Sequence, residues 1–345
     1  MLEEACDRGI ERVEGAPPQL VRFIRSMENV PSWIDVRLIE RGARLERDLY
    51  ANRAPFVLRG ASIGTFMNKY SALPMALTGS FSSKTSARRT KETATFFTTS
   101  VMPGALGRYG AGFKAAAMVR LMHAMVRFNV LTGDRWDATT YGIPIPQVDQ
   151  MPVGVYSVFP IALDLLRRGR TTFTPDERAR VELARYRSFL LGLPEALLED
   201  TPQGIVAMFL TRHATLRTGY DDTCSALIRA TMEADLSASA ALPDRVHTWL
   251  ERGFSKSYVF KHFLKSDKRA AAQVGVEIGF GDRVSTIAAP ALIAVLSGGY
   301  GVAARIPVVR DWADRSLVRR MVRQLARYGH AEFTTNADAY RPVML

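Results

Sequence analysis

Cysteine and histidine are scarce in this 345-residue chain, with two of the first, Cys6 and Cys224, and five of the second. Two thiols so far apart exclude a disulfide scaffold and a thiolate metal cluster, and they agree with a reducing compartment. Neither a Gly-x-x-x-x-Gly-Lys phosphate loop nor a His-Glu-x-x-His zinc motif occurs, which removes two common enzyme classes. The first eight residues are acidic and lead into no apolar run of signal-peptide length, so a cytoplasmic protein is expected. A content of 47% hydrophobic and 23% charged residues excludes a disordered or collagen-like chain.

Acidic residues are nearly missing from one stretch. Residues 49–133 hold eleven cations (Arg53, Arg59, Lys69, Lys84, Arg88, Arg89, Lys91, Arg108, Lys114, Arg120, Arg127) and a single acid, Glu92. Most of the net charge of +12 therefore lies there. An anionic partner for this segment is one expectation, and a solvated basic face is the other.

Internal repeats, low-complexity linkers and regular strand–helix alternation are absent too. What remains reads as helix with clear punctuation. Thr174-Pro175-Asp176-Glu177 is a capping box with proline in the first turn, opening a helix that runs to Gly192. Thr201-Pro202 opens another, reaching Gly219, and further helices are expected at about 220–241, 243–264 and 310–329. The fold class is all-α, a single domain over 1–345 with helices packed round a shared core. Val284–Ala304 carries no charge, but Pro290 and the run Ser297-Gly298-Gly299-Tyr300-Gly301 interrupt it. A buried helix followed by a tight loop is expected, with peripheral contact to a lipid surface left open.

Three places compete for the chemistry. Gly60-Ala61-Ser62-Ile63-Gly64 fits the G-x-S-x-G elbow of a serine hydrolase with Ser62 as nucleophile, and Phe56-Val57-Leu58 before it would be the strand. Such an elbow needs a parallel sheet around it and an oxyanion loop upstream, commonly with a histidine, and no histidine precedes residue 123. Small residues at this spacing also suit close helix packing. Gly107-Arg108-Tyr109-Gly110-Ala111-Gly112 has the glycine content of a phosphate loop without its order, and reads better as a flexible connection between helices.

The third place lies on two helices, at about 84–99 and 113–131. On the second, Arg120, His123 and Arg127 share one face among Met118, Met122, Met125, Val126 and Phe128. An imidazole with soft apolar neighbours such as Met122 and flanking guanidiniums is what a haem site requires: an iron ligand, a dry wall and cations for the propionates. A core histidine gives the same pattern. On the first helix Arg89, Glu92, Thr93 and Phe96 lie at i, i+3, i+4 and i+7, so their polar groups share a face suited to an oxygen pocket. An Arg89–Glu92 surface pair, with Thr93 bonded back to the helix, is the alternative.

Arg89-x-x-x-Thr93 followed thirty residues later by His123, in Val-Arg-Leu-Met-His-Ala-Met-Val-Arg, resembles the catalytic domain of the rubber-oxygenase family. That family includes the latex-clearing proteins and fungal oxygenases that cleave a farnesyl chain. Further likenesses are Pro31-Ser32-Trp33-Ile34-Asp35, the stretch from Tyr141 to Asp149, Arg187–Leu193 and the Pro194-Glu195 exit, so that residues 18–265 are covered. The sequence departs from the pattern in three ways: Glu92 stands where rubber oxygenases carry lysine, Pro146 where they carry asparagine, and Met151-Pro152 replaces a threonine neighbourhood.

The resemblance implies a helical protein with a globin-like core and one haem b. His123 is then the iron ligand, Arg89 and Thr93 stand on the oxygen side, and Arg120, Arg127 and Met122 contact the cofactor. It also implies cleavage of isoprenoid double bonds by dioxygen. With Glu92 added as a candidate base, the expected substrate is a small or membrane-dissolved hydrophobe, and no nucleic acid is expected. A non-catalytic haem-binding or nucleic-acid-binding protein, supported by Lys256, Lys261, Lys265, Lys268 and Arg269, is the reading from another class.

Overall fold

The computed structural model describes residues 1–79, 81–82, 84–144, 157–215, 221–329 and 336–341. In chain order its α-helices are α1 (Leu2–Arg8), α2 (Pro18–Glu28), α3 (Val36–Asp48), α4 (Leu58–Ile63), α5 (Lys69–Leu77), α6 (Ser86–Thr99), α7 (Ala111–Leu131) and α8 (Ala138–Tyr141). There follow α9 (Phe159–Arg167), α10 (Pro175–Leu190), α11 (Pro202–Thr215), α12 (Asp222–Glu233), α13 (Leu242–His262), α14 (Lys268–Gln273), α15 (Phe280–Ala303) and α16 (Pro307–Tyr328). Among the described residues no strand occurs, and the all-α expectation holds.

Local chemistry explains where these helices begin. At α10 Thr174 caps the backbone of Glu177, while the Glu177 carboxylate accepts from the Thr174 N–H, which closes the capping box reciprocally. Asp221, Asp267 and Asn68 cap α12, α14 and α5 through side-chain oxygens. The helix expected over 220–241 stops at Glu233, and residues 234–241 form a connection to α13.

Backbone contacts divide the chain into two compact units. One comprises Met1–Glu46, Thr99–Leu216 and Phe333–Tyr340; the other comprises Arg47–Thr98, Arg217–Glu332 and Arg341–Leu345. In the first, α9 lies along α11, and Val158, Ala162, Val181, Ala184 and Ile205 form a buried cluster. Helix α3 approaches α10 so closely that a Cβ at Gly42 would sit 2.1 Å from the Ala179 carbonyl oxygen, so only glycine permits the crossing. Glu46, one turn on from Gly42, accepts from the buried Arg187 guanidinium at 2.9 Å, and Arg187 also reaches Ser100 Oγ.

The second unit centres on α13, which packs against α4 and α15. Ile63, Phe66, Ile228, Met232, Val259 and Val276 are among the residues of its core. Arg59 is fully buried: its Nε donates to Glu251 Oε2 at 2.6 Å, and its Nη1 donates to the carbonyls of Thr231, Met232 and Ala234.

Helix α15 departs from expectation. Instead of a buried helix and a tight loop, one continuous helix runs through Gly298, Gly299 and Gly301, and only 6% of its most apolar window is buried. Nothing lies within 4 Å of a Cβ at those three glycines. Each therefore costs about 1 kcal/mol of helix propensity without any neighbour forcing a turn. One edge, Ser285 and Ala289, packs on α13, where Gly253 lets Ser285 approach; Ile287, Leu292, Val295 and Val302 stay exposed.

Candidate active site

Helix α7 starts where the backbone turns tightly. Ala105 O accepts from the Phe113 N–H, and a Cβ at Gly110 or Gly112 would stand 2.2 or 2.9 Å from that same oxygen. The connection expected before α7 is thus held by successive turn bonds, and its glycines answer close approach to backbone rather than to a phosphate. Phe113, Ala116, Ala117, Val119, Val126 and Val130 form the buried side of α7. His123 and Met122 are half-buried on its flank.

Arg120 and Arg127 lie one turn before and one turn after His123. Arg120 Nη2 donates to Ser26 Oγ at 3.0 Å, and its guanidinium stands 5.4 Å from the centre of the Phe23 ring. Gly192, at φ 94°, makes room for it, since a Cβ there would come within 2.9 Å of Arg120 Nε. Burial, then the charge of Arg127, holds the Arg120 guanidinium below its ordinary value, and burial does the same at Arg127. Both remain charged. Neither is joined to a carboxylate among the described residues, so a half-desolvated pair of cations is left without a counter-charge on either side of an imidazole.

Helix α6 carries the other candidates and belongs, up to Thr98, to the second unit. Arg89 Nη1 donates to Glu92 Oε2 at 2.8 Å, with side-chain exposures of only 14% and 6%, so the expected alternative of a surface pair becomes a buried one. The other Glu92 oxygen, Oε1, is buried and accepts no hydrogen bond from the described residues, with Arg88 Nε 3.8 Å away. Thr93 is exposed and its hydroxyl donates to the Arg89 carbonyl at 2.9 Å. The structure therefore brings Arg89 and Glu92 together on α6, and Arg120, His123 and Arg127 together on α7.

A family model described as ER-bound oxygenase mpaB/B'/rubber oxygenase, catalytic domain, matches residues 50–327. The chain belongs to this oxygenase family. Among solved structures it is similar to latex clearing protein LCP in the closed state, with a TM-score of 0.57 and 18% identity over 90% of this chain and 80% of that one. No curated protein matches it directly.

Two of the motif elements outside α6 and α7 make contacts that hold the fold. Asp35 caps α3 through Oδ1, Trp33 Nε1 donates to Glu195 Oε1 at 2.8 Å, and Arg185 stacks 3.9 Å from the centre of the Trp33 ring. Two motif elements that are distant in the chain, at Trp33 and at Pro194-Glu195, are thus one contact. Of the Tyr141–Asp149 stretch, Ile145 to Asp149 lie outside the described residues, as do Met151 and Pro152.

Other expectations are corrected. Phe56-Val57-Leu58 is no strand, and Ser62 sits inside α4 with its hydroxyl donating to the Leu58 carbonyl, so no nucleophile elbow exists. The basic excess of residues 49–133 is largely answered from elsewhere in the chain: Arg53 pairs with Asp48, Arg59 with Glu251, Lys69 with Asp221, Arg108 with Glu28 and Lys114 with Asp7. What survives of the anionic-partner argument is centred on Arg120 and Arg127. Nor do Lys256, Lys261, Lys265, Lys268 and Arg269 form one helical stripe, since Lys256 of α13 pairs with Asp282 of α15 and Lys265 lies in a left-handed turn beyond α13.

Proposed function

We propose that the protein is a haem b-dependent oxygenase that uses dioxygen to cleave a carbon–carbon double bond of a hydrophobic, isoprenoid- or lipid-like substrate, one oxygen atom going to each carbonyl end. The observation that carries this reading is the half-buried His123 between two guanidiniums that no carboxylate among the described residues neutralises. A propionate-bearing cofactor supplies those charges, and a porphyrin brings four nitrogens of its own, so one imidazole suffices as protein ligand. Among the described residues no group of three His, Cys, Asp or Glu is gathered as direct ion coordination would need.

In this reading His123 holds the iron, Arg120 and Arg127 bind the propionates, and Met122 belongs to the dry wall. Bound haem supplies the activation of dioxygen. Arg89 and Thr93, carried over from the family, stand on the oxygen side, and Arg89 fixes Glu92 through Oε2. That leaves Glu92 Oε1 to take an allylic proton from the substrate and return it as the carbonyl ends form, so that no net proton is lost, acid–base work that the lysine of rubber oxygenases would not perform in the same way. The globin-like arrangement implied by the family is part of the same proposal.

We place the enzyme in the cytoplasm at a membrane surface, where such a substrate dissolves. The exposed apolar face of α15, continued by Ile306, Val308 and Trp312 and flanked by exposed Arg283 and Arg305, supports peripheral docking on anionic lipid. The test is reconstitution with haemin followed by incubation with polyprenoids under ¹⁸O₂. A Soret band that His123→Ala abolishes, labelled carbonyl products, and a large loss of turnover at full haem content in Glu92→Gln are expected. Label drawn from water, or a spectrum unchanged in His123→Ala, refutes the proposal.

A further inference from the structure

The second unit contains a cavity of about 380 Å³ whose wall has two characters. Pro55, Phe56, Leu58 and Leu236 supply an apolar side, and His247, Tyr328, Arg320 and Arg323 a polar one. Its volume falls within the range of small-molecule sites, at the lower end, and below what a long polyprenoid needs.

The charges of the wall do not balance. Asp244 is paired with Arg327, and Glu251 is consumed inside the protein by Arg59 and by Ser255 Oγ. Arg320, half-buried, and Arg323, exposed at the same wall, are joined to no carboxylate among the described residues. Burial, then the charge of Arg323, holds the Arg320 guanidinium below its ordinary value, with Asp48, itself paired with Arg53, acting in the opposite sense. Like charges brought together at a cavity without a counter-charge raise the energy of the empty site, and an anion lowers it.

The remaining polar groups are donors or neutral. Burial keeps the His247 imidazole below its ordinary value despite Glu251, so the ring is uncharged near neutral pH, and it packs against Phe56 with ring centres 5.0 Å apart. Tyr328 accepts from Gln324 Nε2, which leaves its own hydroxyl proton to donate, and burial pushes its ionisation up. Among the described residues the two carboxylates of the wall, Asp244 and Glu251, are both paired.

We propose that this cavity binds a small amphipathic anion, with a carboxylate or phosphate head on Arg320 and Arg323 and an apolar body against Phe56, Pro55 and Leu58. The site is built from the second unit alone, whereas His123 belongs to the first, and the inference does not depend on the haem reading.

Titration calorimetry of the purified protein with octanoate, octyl phosphate and octanol separates head from tail. Octanoate and octyl phosphate should bind at one site per chain, the tighter of the two identifying the head, and octanol should bind at least tenfold more weakly. Arg320→Gln and Arg323→Gln should each weaken anion binding roughly tenfold or more. Asp244→Asn releases Arg327 from its partner and should tighten binding, a gain that misfolding cannot imitate. Octanol binding as well as the anions, no binding of either anion, or Asp244→Asn and Arg320→Gln both leaving affinity unchanged would overturn the proposal.

Discussion

Replacing Arg120 and Arg127 together by glutamine should move two measured quantities independently. Seven residues along α7 separate the two charges by about 10 Å of helix axis. At an effective dielectric of about 20 their repulsion is roughly 1 to 2 kcal/mol before screening, and salt removes much of it. Against that relief stand the Arg120–Ser26 hydrogen bond and the Phe23 contact, each worth about 0.5 to 1 kcal/mol. The haem-free protein should therefore keep its stability to within about 1 kcal/mol, which urea denaturation measures. Haem retention should not survive so well. Two charge-assisted contacts with propionates, at about 1.5 to 3 kcal/mol each, correspond to a loss of roughly two to four powers of ten in affinity. Transfer of haem to a haem-free globin acceptor reads this loss directly. A transfer rate within threefold of wild type would refute the propionate assignment. A loss of several kcal/mol in the haem-free protein would make the two arginines structural instead.

Glu251→Gln should cost about 3 to 5 kcal/mol, because it leaves the Arg59 guanidinium buried without a counter-charge; the double change Arg59→Met with Glu251→Leu should recover most of it, and a single variant within 1 kcal/mol of wild type in urea would contradict the pairing. At the α10 cap the Arg170 guanidinium beside Glu177, helped by Thr174, holds its carboxyl down at about 2 against an ordinary 4.5. The folded state thus binds this proton less readily, so the contribution is present above 4.5 and is lost as pH falls toward 2. Thermal melts of Glu177→Gln across that window should show a shallower acid decline than wild type, modest in size because the pair is part-exposed; identical declines would remove the cap from the acid response.

Much of α10 and α7 was legible in the sequence because local interactions decide it. The Thr174–Glu177 box, Pro175 and Gly192 act within a few residues of their own backbone, so their reading needs no tertiary knowledge. The shared face of Arg120, His123 and Arg127 follows from helical periodicity alone. The bond of the Thr93 hydroxyl to its own helix is equally local and was one of the two alternatives the sequence offered, whereas the burial of the Arg89–Glu92 pair was not legible, because other elements supply it. His247, one of five histidines, carried no signal, because Phe56, Arg320 and Tyr328 reach its cavity from distant parts of the chain.

By itself the sequence determined the helical class, the capped starts of α10 and α11, the family motif and the candidate ligand His123, all of which rest on patterns a few residues long or on spacing along one helix. Tertiary structure alone decided which charges are spent. Arg59 and Glu251 are 192 residues apart, and no local pattern marks them as partners; the same holds for Lys69 with Asp221 and Arg108 with Glu28. Net charge is a sum over residues, whereas a counter-charge acts only within a few ångströms. The apparent excess over residues 49–133 was thus reduced by topology to a few cations, chief among them the two that flank His123.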